Sequence, residues 1–166
     1  MRIGQYQFGP PVVGIAFGSG SARGWAHIGV IHALEEAGIR PGIVTGTSAG
    51  AVVGSFYASR SLDRLESFVG QYKTVSKTIA HLDIGLGHAG IITGKRWLSK
   101  FLESYLPVRD FKQLSMPFGM VATDLVTMKE VHITSGPIVP AIRSTVAVPG
   151  FFSPYQSDDM LLVDGG

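Results

Sequence analysis

The apolar and polar positions of this chain change period several times, and each change marks an element. "VVGIAF", Val12 to Phe17, is an unbroken apolar run between Pro10-Pro11 and Gly18, the pattern of a buried central strand. "WAHIGVIHALEEAG" then runs at helical period. Ala26, Val30, Ala33, Leu34 and Ala37 share one face of its wheel, His32, Glu35 and Glu36 the other, and Gly38 takes the C′ stop. "GIVTG" predicts a second short strand, and "AVVGSFYAS" a helix apolar all round and therefore buried. This strand–helix–strand–helix order predicts a parallel sheet with right-handed crossovers.

Further along, "LDRLESFVGQY" carries Leu62, Leu65, Val69 and Tyr72 on one stripe. "KRWLSKFLESYL" does the same through Trp97, Phe101 and Tyr105, with Thr93 at the N-cap position. Between them, "AHLDIGLGHAGIITG" is glycine-rich and apolar, and suits either a flap over an apolar site or a buried loop. "PFGMVATD" and "KEVHIT" predict two strands joined by a short turn, "PIVPAIRST" a short helix, and "MLLVDGG" a last strand ending in a tight turn. Residues 1–11 read as a tail and 12–166 as a single domain.

Composition narrows the classes. With 45% apolar and 16% charged residues among 166, the chain reads as one globular core. Its 22 glycines gather in the turns between apolar runs, as close backbone approaches require. The net charge is +2 and the basic residues are scattered, which argues against nucleic acid as a partner. The lack of cysteine excludes disulfides, thiol chemistry and cysteine-type zinc sites, and no acidic run has calcium-loop spacing. The first apolar run is too short for a signal segment or a membrane span. The expectation is a cytoplasmic protein, with contact at a membrane surface left open.

The candidate chemistry sits on the turns. Gly46-Thr47-Ser48-Ala49-Gly50 fits G-x-S-x-G between a strand and an apolar helix, where a sharp turn would lift the Ser48 hydroxyl above the sheet edge. Two readings of Ser48 stand here: a nucleophile, or a plain helix N-cap. Gly18-Ser19-Gly20-Ser21-Ala22-Arg23-Gly24 is a second strand-to-helix turn. Its amides suit an oxyanion, and a simple tight turn remains the alternative. A dinucleotide fingerprint fails because the third glycine is out of phase and no acid ends the second strand. A P-loop fails for want of a closing Lys-Ser or Lys-Thr.

Asp164-Gly165-Gly166 is the third turn. Asp-Gly is usually only a hairpin signal, but a serine nucleophile needs a base. Of the histidines, His32 falls on the solvated face and His27 on the inner face as a core residue. His81 and His88 fall in the glycine-rich segment, and His132 in a strand. None follows Asp164, so the order Ser, acid, His is missing and a Ser–Asp pair is preferred to a triad.

In this order, "GSGSARGWAHIGVIHALEEAGI", "GTSAG", "AIRSTVAVPGFFSP" and "DGG" resemble the patatin-like phospholipase family, from Val13 to Gly166. The resemblance implies a three-layer α/β/α fold with a mostly parallel central sheet. It implies a Ser–Asp dyad, with Ser48 the nucleophile on an elbow flanked by Gly46 and Gly50, and Asp164 its base. The loop Gly18, Ser19, Gly20, Ser21, Arg23, Gly24 would hold the oxyanion, chiefly through amides around Gly20 and Ser21. Arg23 takes the family's Arg/Lys position, with a loop-ordering or phosphate-facing role. Ser19 and Ser21 stand where many relatives carry glycine, and the donors survive provided φ stays negative at both.

The activity implied is hydrolysis of a lipid acyl ester (phospholipid, lysophospholipid or acylglycerol) through an acyl-serine, with no metal and no cofactor. A carboxylate in water is a weak base for a serine hydroxyl, so the pair calls for a dry, apolar pocket. An acyltransferase using the same dyad, and an impaired lipid-binding or regulatory protein, are the alternatives. The sequence stops two residues after Asp164, where the family continues, so the expectation is a domain incomplete at its C-terminus, with a sheet edge left for a partner or a further segment. Oligomeric state is not legible.

Overall fold

The computed structural model describes residues 12–71, 84–87, 90–92 and 95–166. In chain order the elements are β1 (Gly14–Phe17), a 3-10 turn (Ser21–Trp25), α1 (Ala26–Glu36), β2 (Ile43–Gly46), α2 (Ala49–Ala58) and α3 (Leu62–Gln71). After them come β3 (Ile84–Gly87), β4 (Gly90–Ile92), α4 (Lys95–Tyr105), a second 3-10 turn (Phe111–Gln113), β5 (Phe118–Asp124) and β6 (Lys129–Ile133). The last elements are α5 (Ile138–Thr145), β7 (Gly150–Phe152), β8 (Tyr155–Ser157) and β9 (Met160–Asp164). Tyr72, His81, His88 and Thr93 lie outside the described residues. Of the segment read as flap or loop, the described parts are β3 and β4, an antiparallel pair, with β4 running parallel to β7.

The main sheet is mixed. β1, β2 and β5 are parallel, in register from Gly14↔Ile43 to Phe17↔Gly46 and from Val44↔Phe118 to Gly46↔Met120. Beyond β5 the parallel expectation gives way: β6 and β9 both run antiparallel to β5, and β8 antiparallel to β9. The physical reason is connection length. β5–β6 and β8–β9 are joined by turns too short for a crossover, so those neighbours must reverse direction.

A strand has two edges, and β5 has three partners among the described strands. β6 covers Met120 to Asp124, overlapping both of the others, so it occupies one edge alone. The other edge is shared: β2 ends opposite Met120, and β9 starts its pairing opposite Ala122. This shared edge positions the site.

β1 is an edge strand rather than the expected central one. Val12 and Val13 are 72% and 47% exposed, and only Phe17 of the run is buried. The apolar run had the composition of a buried strand, but burial depends on neighbours, and among the described strands β1 pairs with β2 alone.

α1, α2 and α3 form one layer. The strand order β1, β2, β5 advances in a single direction, so right-handed crossovers put the successive helices on the same face. α1 reaches α3 through His32 Nε2 and Glu66. α2 is buried throughout, as its composition required, and Phe68 of α3 meets Phe101 of α4 at 4.2 Å between ring centroids. The opposite face of β1 and β2 is exposed at Gly14, Ala16, Ile43 and Thr45. α1 itself is rotated from its wheel assignment. Ile31 is buried and His27, Ile28 and Leu34 are half-buried, whereas Val30 is 46% exposed and Ala26, Ala33 and Ala37 are exposed. Burying the large isoleucines removes more apolar area from water than burying alanines. Gly38 does close the helix, at φ 74, with Ile39 N–H on Leu34 O at 2.8 Å.

Candidate active site

Ser48 joins β2 to α2 with φ 53 and ψ −125. A non-glycine residue in that region carries roughly 1–3 kcal/mol of strain. Its side chain makes no capping bond to α2, and its backbone is not in the extended region an N-cap adopts. The cap reading therefore fails on geometry. Small neighbours are what permit the turn. A Cβ on Gly50 would fall on the carbonyl oxygens of Phe17 and Gly18, and one on Gly46 would meet Gly50 O at 2.5 Å. The elbow and the end of β1 are thus in backbone contact.

Two hydroxyls and one carbonyl fix the turn. Ser48 N–H donates to Thr145 Oγ1 at 3.0 Å. Thr145 donates to Val121 O, and Thr47 Oγ1 reaches the same carbonyl at 3.3 Å. Ser48 O starts α2 by accepting from Ala51 N at 3.0 Å and Val52 N at 3.2 Å.

Asp164 ends β9 opposite Ala122, on the edge of β5 where β2 ends opposite Met120. Two residues along a strand is about 7 Å, and the two β5 positions face the same way, so the last residue of β9 and the turn after β2 meet over one stretch of sheet. Asp164 N–H donates to Ala147 O at 3.0 Å. Its Oδ1 accepts from Gly166 N at 2.8 Å. Oδ2 is buried with no hydrogen-bond partner among the described residues, so the expected bond to Ser48 is not made in this arrangement. A buried carboxylate oxygen left unpaired is costly, and it is the atom available to take a proton.

The first turn completes the enclosure. A Cβ on Gly24 would strike Ala49 Cβ, and one on Gly166 would strike Ser19, so the loop touches both the elbow and the residues after Asp164. Within it Arg23 N–H bonds Gly20 O at 2.9 Å, whereas the amides of Ser19, Gly20, Ser21 and Ala22 head the 3-10 turn without a hydrogen bond among the described residues. Gly18 O accepts from His27 Nε2 at 2.9 Å, so His27 orders the loop from a half-buried position. The proviso on φ is not met: Ser21 has φ 48, while Ser19 is not among the left-handed residues. The reversal out of β1 demands a left-handed residue, and here serine fills it. The Arg23 side chain is exposed and makes no ion pair among the described residues.

A family model for patatin-like phospholipase matches residues 15–166. The chain belongs to the patatin-like phospholipase family. An NTE family protein of Mycobacterium tuberculosis is 42% identical over 158 residues, covering 94% of this chain and 43% of that one. Lysophospholipase nte1 of Emericella nidulans is 32% identical over 93% of this chain and 10% of its own length. Patatin-like phospholipase domain-containing protein 6 of Mus musculus is 30% identical over 93% of this chain and 12% of its own. The chain thus spans less than half the length of these relatives. Among solved structures, VipD from Legionella pneumophila aligns with a TM-score of 0.57 at 16% identity, over 95% of this chain and 46% of that one, a likeness of fold.

Beside this patatin-like elbow lies an apolar cavity of about 190 Å³, lined by Ser21, Ser48, Ala49, Trp25, Val148 and Phe152 among others. Ser48 is 4% exposed and faces it. No group of three or more metal-ligating side chains occurs among the described residues. Two contributors escaped the sequence reading. Ala49 N–H, next after Ser48, heads α2 with no hydrogen bond among the described residues and lines the same cavity. Thr145 closes the short helix that "PIVPAIRST" forms. The G-x-S-x-G pattern would have pointed to Ala49, whereas nothing in the sequence pattern points to Thr145.

Proposed function

We propose that this chain hydrolyses acyl esters of lipids, with Ser48 as nucleophile and Asp164 as the base that takes its proton. The observation that carries the reading is Ser48 itself: a strained residue at the head of a helix it does not cap, facing an apolar cavity. In the first half-reaction Ser48 Oγ attacks the ester carbonyl, its proton passes to Asp164 Oδ2, and the alcohol leaves with a proton. In the second, water attacks the acyl-serine and gives its proton to Asp164 Oδ2, which passes it to Ser48 Oγ as the acyl–oxygen bond breaks and the fatty acid leaves. The negative oxygen of each tetrahedral intermediate is held by amides from Gly20 to Ala22 together with Ala49, each such donor lowering the barrier by about 3 kcal/mol. The cavity excludes water from the acyl chain, at about 0.8 kcal/mol per buried CH₂. The family membership and the lysophospholipase name of one relative support a phospholipid or lysophospholipid substrate, reached at a membrane surface.

Hydrolysis of p-nitrophenyl butyrate by the parent and by Ser48→Ala tests the assignment. Turnover by the parent that disappears in the variant is expected. Equal turnover by both would remove Ser48 from the chemistry.

A further inference from the structure

We propose that Thr145 is the positioning residue of this site, its hydroxyl holding the Ser48 backbone in the strained turn that presents Oγ. The inference rests on the reading of Ser48 as nucleophile.

The polarity of the contacts is fixed. Ser48 N–H can only donate and Val121 O can only accept, so the Thr145 hydroxyl gives its hydrogen to Val121 O and receives the Ser48 amide on a lone pair. Thr145 is fully buried, so water does not replace it. Both peptide groups flanking Ser48 are tied to the first turn of α2 through their carbonyls, whereas the Ser48 N–H reaches outside it. The carbonyl side is tied into the first turn of α2 by Ala51 and Val52. On the amide side, Thr47 O accepts from Gly50 N at 2.9 Å and Ala51 N at 3.3 Å, and Ser48 N–H has Thr145 as its hydrogen-bond partner among the described residues. With that bond gone, the buried Ser48 N–H is left unsatisfied and the 47–48 peptide is held only at its carbonyl, so it can tilt about that anchor toward a less strained backbone, and Oγ moves with it.

The same short stretch also holds the other half of the pair, since Ala147 O accepts the Asp164 amide. The end of α5 therefore sets where the hydroxyl and the carboxylate stand relative to each other, while touching neither reacting atom. A misplacement of about 1 Å is enough to reduce the rate about 100-fold.

The test compares the parent with Thr145→Val, Thr145→Ser and Ser48→Ala. Kinetics on p-nitrophenyl butyrate and labelling by a fluorophosphonate are measured where circular dichroism shows each variant folded. Thr145→Val keeps the shape and removes the hydroxyl. It is expected to lower kcat and the labelling rate about 100-fold with KM within about twofold. Thr145→Ser is expected to recover kcat to within about threefold of the parent. A kcat for Thr145→Val equal to the parent's, or a Thr145→Ser as impaired as Thr145→Val, overturns the proposal. Should Thr145→Val not fold, Thr145→Cys keeps the volume with a weak donor, and parental kcat there is equally fatal. A parent that does not label, or a Ser48→Ala that still does, instead overturns the nucleophile reading. A parent that labels, a silent Ser48→Ala and an unchanged Thr145→Val overturn the role of Thr145 alone.

Discussion

Gly46 and Asp164 stand on the same edge of β5, opposite Met120 and Ala122, one closing a parallel strand and the other an antiparallel one. This arrangement delivers a turn from the first third of the chain and a carboxylate from its end to one place. The mixed sheet is thus part of the site's construction. An all-parallel sheet would have needed another crossover before Asp164 could return to the edge used by β2.

If Asp164 is the base, Asp164→Asn keeps the shape and the bond from Gly166 N but cannot take a proton. Turnover of short acyl esters is expected to fall by about 10²–10⁴-fold with an unchanged circular dichroism spectrum. Near-parental turnover would assign the proton to another group.

Ser21 carries a left-handed backbone at φ 48. Glycine adopts that conformation without the Cβ penalty, which outweighs its larger entropy loss on folding. Ser21→Gly should therefore gain about 1 kcal/mol, read as a rise of about 2–4 °C in Tm, whereas Ser21→Val should lower Tm. Both keep the backbone amides, so thermal denaturation separates strain from loss of donors.

Much of this was written in the chain and some was not. The elbow, the first turn and the final Asp-Gly-Gly were legible because glycine and serine at strand ends have few structural uses. α2 was legible because its residues are apolar on every side. The burial of β1 and the inward face of α1 were misread, since composition reports what a segment tolerates and not which neighbours it finds. The positive φ of Ser21 and the bond from Ser48 N–H to Thr145 depend on tertiary placement, for which a single threonine at a helix end gives no period or motif.

Asp124 is 2% exposed, and its carboxylate joins two turns. It accepts from Thr127 Oγ1 at 2.7 Å, from the amides of Val126 and Thr127, and from Leu161 N at 3.0 Å. The Thr127 hydroxyl is the largest cause holding it below its ordinary value of 3.8; burial opposes, and the Leu161, Val126 and Thr127 amides add to the lowering. A carboxyl depressed on folding stabilises the native state above its unfolded value, and that contribution is lost as pH falls through the folded one. Tm of the parent should thus drop below about pH 4 more steeply than that of Asp124→Asn, which should be less stable at pH 7. Parallel Tm–pH curves for the two would contradict this.

Val148 lines the cavity beside Ser48 and is only half-buried, so a larger side chain there narrows the space. Displacing about two methylenes from that space is worth roughly tenfold. Val148→Phe is expected to lower kcat/KM for p-nitrophenyl octanoate by about that factor relative to the acetate. An unchanged octanoate-to-acetate ratio would place the acyl chain elsewhere.

The most direct measurement is the site of covalent modification. After reaction with a fluorophosphonate, peptide mapping by tandem mass spectrometry should find the adduct on Ser48, formed far more slowly in Asp164→Asn. An adduct confined to another residue, or a parent chain that is folded and unmodified, would contradict the account.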